Sequence, residues 1–504
     1  MACFDPHYVA GGCATQFSRR NASGSYQFDV GLHYIGDCGP HGAIPRILAS
    51  LGIEQEFLPL DPDGFDVLRF PDLEMRVPAS LDRYRDRLAS LFPSEKRGID
   101  RYVSLVRQVG TVGQRIDQNR GRLTPKLLLD LAWNGRLLPF AQKATIAQFL
   151  DSCTRDPKLR AVILGQHGDY GLPPSEVAAL LHVGLADHYF KGAYYPRGGG
   201  QIMSDKLASA IEAAGGSIHL KRGIAKIIIE EGRAVGVRTE PRAGEVHEVR
   251  AGVVLSNADL KRTLLELVGP AYLPAASVRR VRNYQMGGAI FMTFLGVAAD
   301  LRKDGLGAHN LWQFDGYDTE AYYQENRGGK PVSPRGAYIT SASMKDPHTT
   351  SHAPPGVTSV EVMTMVPGDA ASWGVEVGRV DGWGYKKEEA YHATKARIED
   401  DLVARFLRLY PSAAGKIVFR ESATPVTHSR FTRASEGTSY GIALTPSQFM
   451  KNRPGARSDV PGLYLAGASM RQNHGIVGAM LSGREAARAV LEDMGTSLVE
   501  ESAL

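Results

Sequence analysis

Residues 461–487 read PGLYLAGASMRQNHGIVGAMLSGREAA. The run 462–467 is short, apolar and closed by glycine, which predicts a buried parallel strand leading into a loop. Gly475, Gly478 and Gly483 punctuate a following segment with helical spacing, so backbone amides are predicted to lie free at a helix N-terminus. This geometry suits an anion or the polar edge of a cofactor. In the alternative reading, the glycines only let a strand and a helix pack closely.

The same run resembles the C-terminal flavin-binding motif of the FAD-dependent family of phytoene desaturases, carotenoid isomerases and retinol saturases (all-trans-retinol 13,14-reductases). The resemblance extends over nearly all 504 residues. It implies an α/β fold: a Rossmann-like FAD-binding domain built from discontinuous segments, with a substrate domain of antiparallel sheet plus helical cap. It also implies FAD contacts at Gly467, Gly475, Gly478 and Ala479. Ala468 departs from flavoprotein relatives that carry an acid there, so that position offers no carboxylate to a ribityl hydroxyl.

Composition narrows the function classes. The chain is 43% hydrophobic, enough for a large core and two or three domains. Its 55 glycines, about 11% against a usual ~7%, follow no repeat and indicate many tight turns. The 59 basic and 54 acidic residues give a net charge of +5, too dilute for a nucleic-acid surface, so no nucleic-acid partner is expected.

Cysteine usage and hydropathy bear on location. The four cysteines, Cys3, Cys13, Cys38 and Cys153, form no CxxC pair and no metal spacing, which favours a reducing, cytoplasmic compartment. No stretch approaches 18 consecutive apolar residues, and the N-terminus lacks the layout of a signal peptide. We therefore expect a soluble or peripherally membrane-associated protein.

The first residues predict a start inside a βαβ unit. In the family, a strand, a GxGxxG turn and a helix come first, and Asp5 aligns with the acidic residue that binds the adenosine ribose. About 30 residues of that fingerprint would precede Met1, and none is found elsewhere in the sequence. Either the sequence starts at an internal Met of a longer frame, or it is a naturally shortened member. FAD binding weaker than that of a full-length relative is expected, with implied contacts at Gly11, Gly12 and Thr15.

Residues 26–36, YQFDVGLHYIG, are similar to the family's FDxGxH segment, whose backbone lies along the flavin toward the substrate. The resemblance implies a cofactor contact at Gly31 and makes His33 and Tyr34 candidate catalytic residues. From the residues alone, a histidine satisfied by backbone partners in a core strand is the more common reading for His33.

Residues 81–185 show mostly helical periodicity, including 126–133, KLLLDLAW, and predict an inserted cap. His182, Asp187 and His188 are spaced so that His182 lies off the helix face of the other two, and no further His or Cys joins them. No metal site is predicted.

The chain then returns to the cofactor domain. Segments 218–220, 224–230 and 234–239 alternate in a way that predicts a hairpin-rich element, and 253–259 predicts another buried strand with a polar end. In the family, the residue at Ile224 brackets the adenine through its backbone, and the turn at Asn257 faces the cofactor. A plain hairpin and a strand cap are the alternatives.

These patterns predict a discontinuous domain organisation. The FAD-binding domain is expected from residues 1–80, 190–275 and 415–504, and the substrate-binding domain from 81–189 and 276–414. Flavin-like motifs occur at both ends and in the middle, separated by stretches of different periodicity.

Three functions follow as hypotheses. The first is an FAD-dependent oxidoreductase that desaturates or saturates carbon–carbon bonds of an isoprenoid, carotenoid or retinoid-like apolar substrate, taken from a membrane surface. The absence of a triad or paired-carboxylate signature fits flavin chemistry, in which the protein positions the reactants and excludes water. The second is a flavin-dependent carotenoid cis–trans isomerase. The third is a non-catalytic member that binds an apolar ligand or partner. No second fingerprint for a nicotinamide is found, so the electron donor or acceptor is not assigned.

Overall fold

The computed structural model describes residues 1–118, 124–125, 135–327, 329–380 and 382–496. The helix predicted at 126–133 lies outside these residues.

The described part of the chain is a mixed α/β structure. Its strands are β1 (Ala2–Asp5), β2 (Gln16–Asn21), β3 (Gly24–Asp29), β4 (Ile35–Gly36), β5 (Phe57–Pro59), β6 (Asp66–Arg69), β7 (Glu74–Val77), β8 (Ala193–Pro196), β9 (Ser217–Leu220), β10 (Ile224–Glu230), β11 (Arg233–Thr239), β12 (Glu248–Arg250), β13 (Val254–Ser256), β14 (Ala289–Val297), β15 (Asn310–Phe314), β16 (Gly336–Thr340), β17 (Thr358–Val366), β18 (Ile417–Ala423) and β19 (Leu463–Leu465). The helices are α1 (Ala43–Ala49), α2 (Leu81–Leu91), α3 (Lys96–Gln118), α4 (Leu138–Ala141), α5 (Ile146–Asp151), α6 (Pro157–Ile163), α7 (Ala179–Phe190), α8 (Gln201–Ala213), α9 (Ala275–Arg282), α10 (Thr319–Gln324), α11 (Ala342–Lys345), α12 (Glu389–Leu409), α13 (Pro425–Thr432) and α14 (Gly475–Asp493), with a π-helical turn at Arg262–Val268.

A seven-stranded sheet in the order β18-β14-β17-β16-β15-β6-β7 is the largest element. The sequence predicts an antiparallel sheet, and every pair is antiparallel except β15 with β6, which run parallel. The sheet draws strands from residues 66–77, 289–366 and 417–423, so it takes residues from both sides of the predicted boundaries at 80 and 415. The division into two domains stays a prediction.

The two faces of this sheet are buried against different layers, because successive side chains of a strand point to opposite faces. On one face, Val360 and Val362 share a hydrophobic cluster with Leu402 and Phe406 of α12. On the other face, Met363 belongs to the main cluster, which also contains residues of β3 and of the cap helices. The sheet therefore packs directly against the segment that carries the FDxGxH-like motif.

Two short parallel pairs lie outside that sheet. Strand β13 pairs with β19 in register Val254–Leu463, which confirms the buried parallel strand predicted at the C-terminal motif. Strand β9 pairs in parallel with β1. The sequence placed 218–220 in a hairpin-rich element with 224–239, and this was wrong for 218–220. Strands β10, β11 and β12 form an antiparallel sheet, whereas β9 pairs with β1.

The cap is helical as predicted, with α2 to α7 between residues 81 and 190. Ser80 caps α2 by accepting the Arg83 amide, and Thr145 with Gln148 forms a capping box at α5, so the first residue of each helix is defined by a side-chain hydrogen bond. In the described ranges, no helix combines the length and apolarity that crossing a membrane requires.

Candidate active site

The glycine-rich turn after β1 is shaped by contact with α8. Gly11 has φ +126°, and a Cβ there would collide with the Ser204 hydroxyl. Ser204 Oγ donates to the carbonyl of Ala14 at 2.9 Å, which holds the turn against the helix. Gly12 has φ +59°, and its carbonyl accepts the Thr15 hydroxyl at 3.1 Å. The backbone of Gly11 and Gly12 is left exposed.

The FDxGxH-like segment lies beside this turn. The Val30 amide donates to the Thr15 carbonyl at 2.9 Å, and a Cβ on Gly31 would lie 2.8 Å from the Cys13 carbonyl oxygen. The buried carboxylate of Asp29 accepts the Gly200 amide at 2.8 Å, which fixes the start of the segment. The structure therefore brings together Gly11, Gly12, Thr15 and Gly31, which the sequence predicted separately.

A second group of predicted residues meets where β13 and β19 end. Gly467 has φ +105°, and a Cβ there would collide with the amide oxygen of Asn257. The Gly467 amide donates to Ser482 Oγ of α14 at 2.8 Å. The backbone of Gly478 packs closely on the Asn473 carbonyl. Asn257, Gly467 and Gly478 thus form one corner between the strand ends and α14.

The N-terminus of α14 leaves polar atoms available. Gly475 has φ +82°, and within the described structure a Cβ there would meet open space. The Oδ1 of Asn473 and the Nε2 of His474 are buried and find no hydrogen-bond partner among the described residues. Ala479 is exposed one turn into the helix. Amides at a helix N-terminus, with orphaned polar atoms beside them, fit a cofactor that carries ring acceptors and a pyrophosphate.

Asp5 and Ile224 lie near each other at the far end of the β1–β9 pair. The Asp5 carbonyl accepts the Arg222 amide at 2.9 Å, two residues before Ile224 opens β10. The Asp5 carboxylate accepts the His7 amide at 2.7 Å. Partial burial raises the pKa of Asp5, although the bond from His7 opposes this.

His33 is held as a neutral imidazole. Burial, helped by the charge of Lys345, lowers the pKa of His33 to about 3. Its ring centroid lies 6.1 Å from that of Tyr338, and its Nε2 has no partner within the described residues. His33 is therefore a neutral imidazole near pH 7 and does not act as an imidazolium acid.

Tyr34 lies between two carboxyl groups, of which Asp66 is buried and Asp169 is partly buried. Its hydroxyl lies 2.7 Å from Asp169 Oδ2 and 3.2 Å from Asp66 Oδ2. Its ring stacks on Tyr189 of the cap at a centroid distance of 4.5 Å. Tyr34, a catalytic candidate from the sequence, therefore lies between Asp66 of β6 and Tyr189 of the cap.

Asp66 is surrounded by donors. Its Oδ2 accepts Gln166 Nε2 at 2.6 Å and Trp312 Nε1 at 3.2 Å, and its Oδ1 accepts Asn310 Nδ2 at 2.8 Å. Burial raises the pKa of Asp66 to about 6, and these hydrogen bonds oppose the rise because they favour the charged form.

Asp169 has fewer donors. Tyrosine hydroxyls, from Tyr34 and Tyr189, are its side-chain partners. Burial, together with the nearby charge of Asp66, raises the pKa of Asp169 to about 7. The two carboxyl groups therefore differ in their surroundings, and the pKa of Asp169 is raised further than that of Asp66.

Residues 166–170 connect the group formed by Tyr34, Asp66 and Asp169 to the N-terminus of α14. Gly168 packs against the indole of Trp312, and its carbonyl accepts the Tyr440 hydroxyl at 2.5 Å. The Tyr440 ring contacts the His474 ring edge-on at 5.1 Å. Asp169 thus bonds to Tyr34, and its neighbour Gly168 is linked through Tyr440 to His474, the residue that precedes α14.

The sequence analysis missed Asp66, Asp169, Lys345 and Arg453. Arg453 is buried and donates to the carbonyls of Ala468 at 2.7 Å and Met470 at 2.8 Å, which holds the turn after β19. Each of these residues looks like an ordinary surface charge in its local sequence. An acid just before an apolar run, as Asp66 before Val67 and Leu68, was the one available signal.

Two glycine-opened corners, an uncapped helix N-terminus and short parallel strands are the features of a dinucleotide-cofactor site. Residues 9–491 match the model of the flavin-containing amine oxidoreductase family, and the chain belongs to that family. It is a flavin-containing oxidoreductase whose cofactor is FAD. This confirms the cofactor and the α/β fold class predicted from sequence.

Among curated proteins, the chain is similar to all-trans-retinol 13,14-reductases. The Danio rerio protein is 25% identical over 483 residues, covering 92% of this chain and 78% of that protein. The Homo sapiens protein is 26% identical over 513 residues, covering 97% and 81%. The chloroplastic prolycopene isomerase of Daucus carota is 22% identical over 512 residues, covering 97% and 76%. These matches confirm the resemblance drawn from the sequence motifs.

Solved structures show the same fold at lower identity. An oxidoreductase from Methanosarcina mazei superposes with a TM-score of 0.59 at 18% identity, covering 97% of this chain and 94% of that one. Wild-type putrescine oxidase bound to putrescine gives a TM-score of 0.57 at 12% identity, covering 98% and 93%.

Proposed function

We propose that this protein saturates or desaturates a carbon–carbon bond of an apolar, isoprenoid or retinoid-like substrate, with FAD as the redox cofactor. The observation that carries the proposal is similarity along nearly the whole chain to retinol 13,14-reductases, 25% over 483 residues in Danio rerio. When bound, the flavin supplies or accepts a hydride.

The surroundings of Tyr34 support an apolar substrate. Tyr189 stacks on Tyr34 at 4.5 Å, Phe65 lies at 6.4 Å, and Tyr338 packs on Trp312 at 4.4 Å between ring centroids. Aromatic walls bury apolar ligands and exclude water, which hydride chemistry requires. A cationic amine would gain less here, since the buried Lys345 lies 5.9 Å from the Tyr34 ring.

The cofactor-contacting residues are proposed as two sets. Gly11, Gly12, Thr15 and Gly31 form one exposed backbone surface, and Asn257, Gly467, Gly475, Gly478 and Ala479 form the other. Leu32 belongs to the hydrophobic cluster against which Ile476 and Met480 of α14 pack, which ties the two sets together. Asp5 and Ile224 are assigned to the adenosine end.

The test uses protein purified with FAD and reduced without oxygen. All-trans-retinol, a cis-configured polyene and putrescine are added in separate reactions. Flavin reoxidation is followed by absorbance, and the product masses are measured by mass spectrometry. We expect retinol or the polyene to reoxidise the flavin and gain two mass units. Reoxidation by no polyene, with turnover of putrescine by the oxidised enzyme, would refute the proposal.

Prolycopene isomerase relatives at 22% identity make isomerisation the second candidate. The same assay separates it, because an isomer keeps its mass and changes only its chromatographic retention. Reduced flavin that stays reduced while the cis polyene changes retention would identify isomerisation.

The proposed substrate class also implies peripheral contact with a membrane surface, because long polyenes partition into lipid. Liposome co-sedimentation at low and moderate salt tests this. Protein that remains entirely in the supernatant at both salt concentrations would contradict it.

A further inference from the structure

We propose that Tyr34 is the proton-transfer residue of the reaction and that Asp169 and Asp66, which share one proton with its hydroxyl, form the relay that supplies it. The inference rests on the proposed reaction at a carbon–carbon bond. It begins from the arrangement of three oxygen atoms.

A tyrosine hydroxyl has one proton to donate. Tyr34 Oη lies within hydrogen-bonding distance of two carboxyl oxygens, at 2.7 Å from Asp169 and 3.2 Å from Asp66. Both bonds form together only if one carboxyl carries a proton and donates it to the hydroxyl oxygen. Three oxygens in this order therefore hold two protons, one on Tyr34 and one on a carboxyl group.

The donors around each carboxyl decide which one is protonated. Asp66 accepts bonds from Gln166, Asn310 and Trp312, and these stabilise a carboxylate. Asp169 meets no amide or indole donor among the described side chains and has the Tyr34 and Tyr189 hydroxyls as its side-chain partners, so we assign it as the neutral acid. The order of proton donation runs from Asp169 to Tyr34 to Asp66.

The surrounding titratable groups leave this order in place. Those that face the three residues are Lys345, Tyr170, Tyr189, Tyr323, Tyr338 and Tyr440. Burial raises the pKa of each of these tyrosines, so all stay neutral. Lys345 is the cation, and it reaches Asp66 through Asn310, whose Oδ1 accepts Lys345 Nζ at 2.5 Å. Its charge further favours ionised Asp66.

The relay is tied to both proposed flavin-contacting sets. Tyr34 follows Gly31 by three residues, and Asp169 follows Gly168, whose carbonyl holds Tyr440 against His474. The Tyr34 hydroxyl lies at the seam between the 31–34 segment and the cap, where Tyr189 covers its ring. The proposal requires an apolar substrate to enter this seam and reach the hydroxyl when the cap moves or the cofactor is bound.

In saturation, reduced flavin would supply the hydride to one carbon of the double bond, and Tyr34 would give its hydroxyl proton to the adjacent carbon as the Oη–H bond breaks. Asp169 returns a proton to Tyr34 in the same step, because burial and nearby carboxyl groups raise the pKa of Tyr34 and disfavour a phenolate. The alkene gains two electrons and two hydrogens, and the flavin loses two electrons. Solvent then reprotonates Asp169, and desaturation runs the same transfers in reverse.

The first test reads the shared proton without any substrate. Infrared spectra of the FAD-loaded protein are recorded from pH 5 to 9. We expect the stretch of a protonated carboxyl group that disappears as pH rises through about 7, is absent in Asp169→Asn, and titrates at lower pH in Asp66→Asn, because the Asp66 charge raises the pKa of Asp169. An unchanged band in Asp169→Asn overturns the shared proton.

The second test reads its role in the reaction. Single-turnover reoxidation of reduced flavin by whichever polyene the wild type accepts is measured against pH. Asp169→Asn keeps a donor toward Tyr34 but passes no proton, and we expect it and Tyr34→Phe each to slow the step by about 10²- to 10³-fold, with little further loss in the double variant. The rate loss above pH 7 should vanish in Asp169→Asn. Tyr391→Phe, which removes a buried hydroxyl bonded to Thr424, is the matched control with unchanged rate.

Failure of the proton relay and failure of the proposed function give different experimental results. If the wild type turns over no polyene, the proposed function fails, while the infrared result still decides the shared proton. If the wild type is active and Asp169→Asn reacts within about three-fold of it with the same pH profile, the relay is overturned and the proposed function stands.

Discussion

The Nζ of Lys345 donates to the backbone carbonyl of His33 at 2.5 Å. This bond joins α11, beside the seven-stranded sheet, to the segment that the sequence places along the flavin. Lys345 also donates to Asn310 and Thr340, so the buried ammonium has all three protons engaged. Burial lowers the pKa of Lys345 to about 8, which the charges of Glu361 and Asp66 oppose.

Lys345→Met should be strongly destabilising. It leaves Glu361 and Asp66 without their nearby cation and leaves the His33 carbonyl without a donor, so the free energy of unfolding in urea should fall by about 3–5 kcal/mol. Lys303→Met, at an exposed position, should change it by less than about 0.5 kcal/mol. Equal effects of the two substitutions would contradict this account of Lys345.

Gly168→Ala should disturb the packing around Trp312 sterically. A Cβ at residue 168 would lie 2.5 Å from the indole of Trp312, whose Nε1 is held by Asp66, so the ring has little freedom to move. We expect a loss of about 1–3 kcal/mol in unfolding free energy and a shift in tryptophan fluorescence. At Gly316 a Cβ meets nothing within 4 Å in the described structure, and Gly316→Ala should leave both unchanged. If Gly168→Ala changes neither the unfolding free energy nor the tryptophan fluorescence, the Trp312 ring is free to move and this account is wrong.

Asp169 should make stability depend on pH. Its pKa is about 7 in the folded protein, against about 3.9 when unfolded, so the folded state holds a proton that the unfolded state releases between these values. Unfolding free energy of the wild type relative to Asp169→Asn should therefore fall as pH rises from about 4 to 7, by on the order of 4 kcal/mol, and then level off.

Asp315 offers a control of opposite sign. Although burial acts the other way, hydrogen bonds from Arg405 and Gln313 lower the pKa of Asp315. The wild-type advantage over Asp315→Asn should therefore persist at neutral pH and disappear only as pH falls below about 4. A difference between wild type and Asp169→Asn that does not vary with pH would refute the prediction for Asp169.

Gly475→Ala tests the N-terminus of α14. At φ +82° a Cβ strains the backbone, so we expect about 1 kcal/mol of destabilisation and reduced FAD per protein measured by absorbance. Gly483 lies inside the same helix, and Gly483→Ala should stabilise by about 0.5–1 kcal/mol without changing FAD loading. Normal loading of Gly475→Ala would argue against cofactor contact at this residue.

The C-terminal motif was predictable because its signals are local. An apolar run closed by Gly467 and a glycine-punctuated helix after it identify β19 and α14 directly. Tyr34 was reached through the resemblance of residues 26–36 to a segment of the family. The strand at 218–220 was misplaced because its partner, β1, lies more than 200 residues away, and sequence periodicity does not report parallel pairing over that distance.

The polar centre could not be predicted for the same reason. Asp66 follows a turn-like DPDG, and Asp169 sits in a short loop, so both are typical of solvated acids. Their burial depends on the cap closing over β6 and on Trp312 and Asn310 arriving from β15. Asp66 and Asp169 lie beside the Tyr34 hydroxyl only in the folded protein, so their local sequences do not indicate this contact.

The parallel pairing of β6 with β15 has a consequence for biosynthesis. Asp66 leaves the ribosome 244 residues before Asn310, its partner in that pairing, and the sheet is complete only when β18 emerges. Throughout that interval the nascent chain carries an unmatched strand edge and a solvated acid destined for the interior. Contacts this distant form slowly, so yield in cells should respond to translation speed and to chaperone supply more than to the stability of the finished protein.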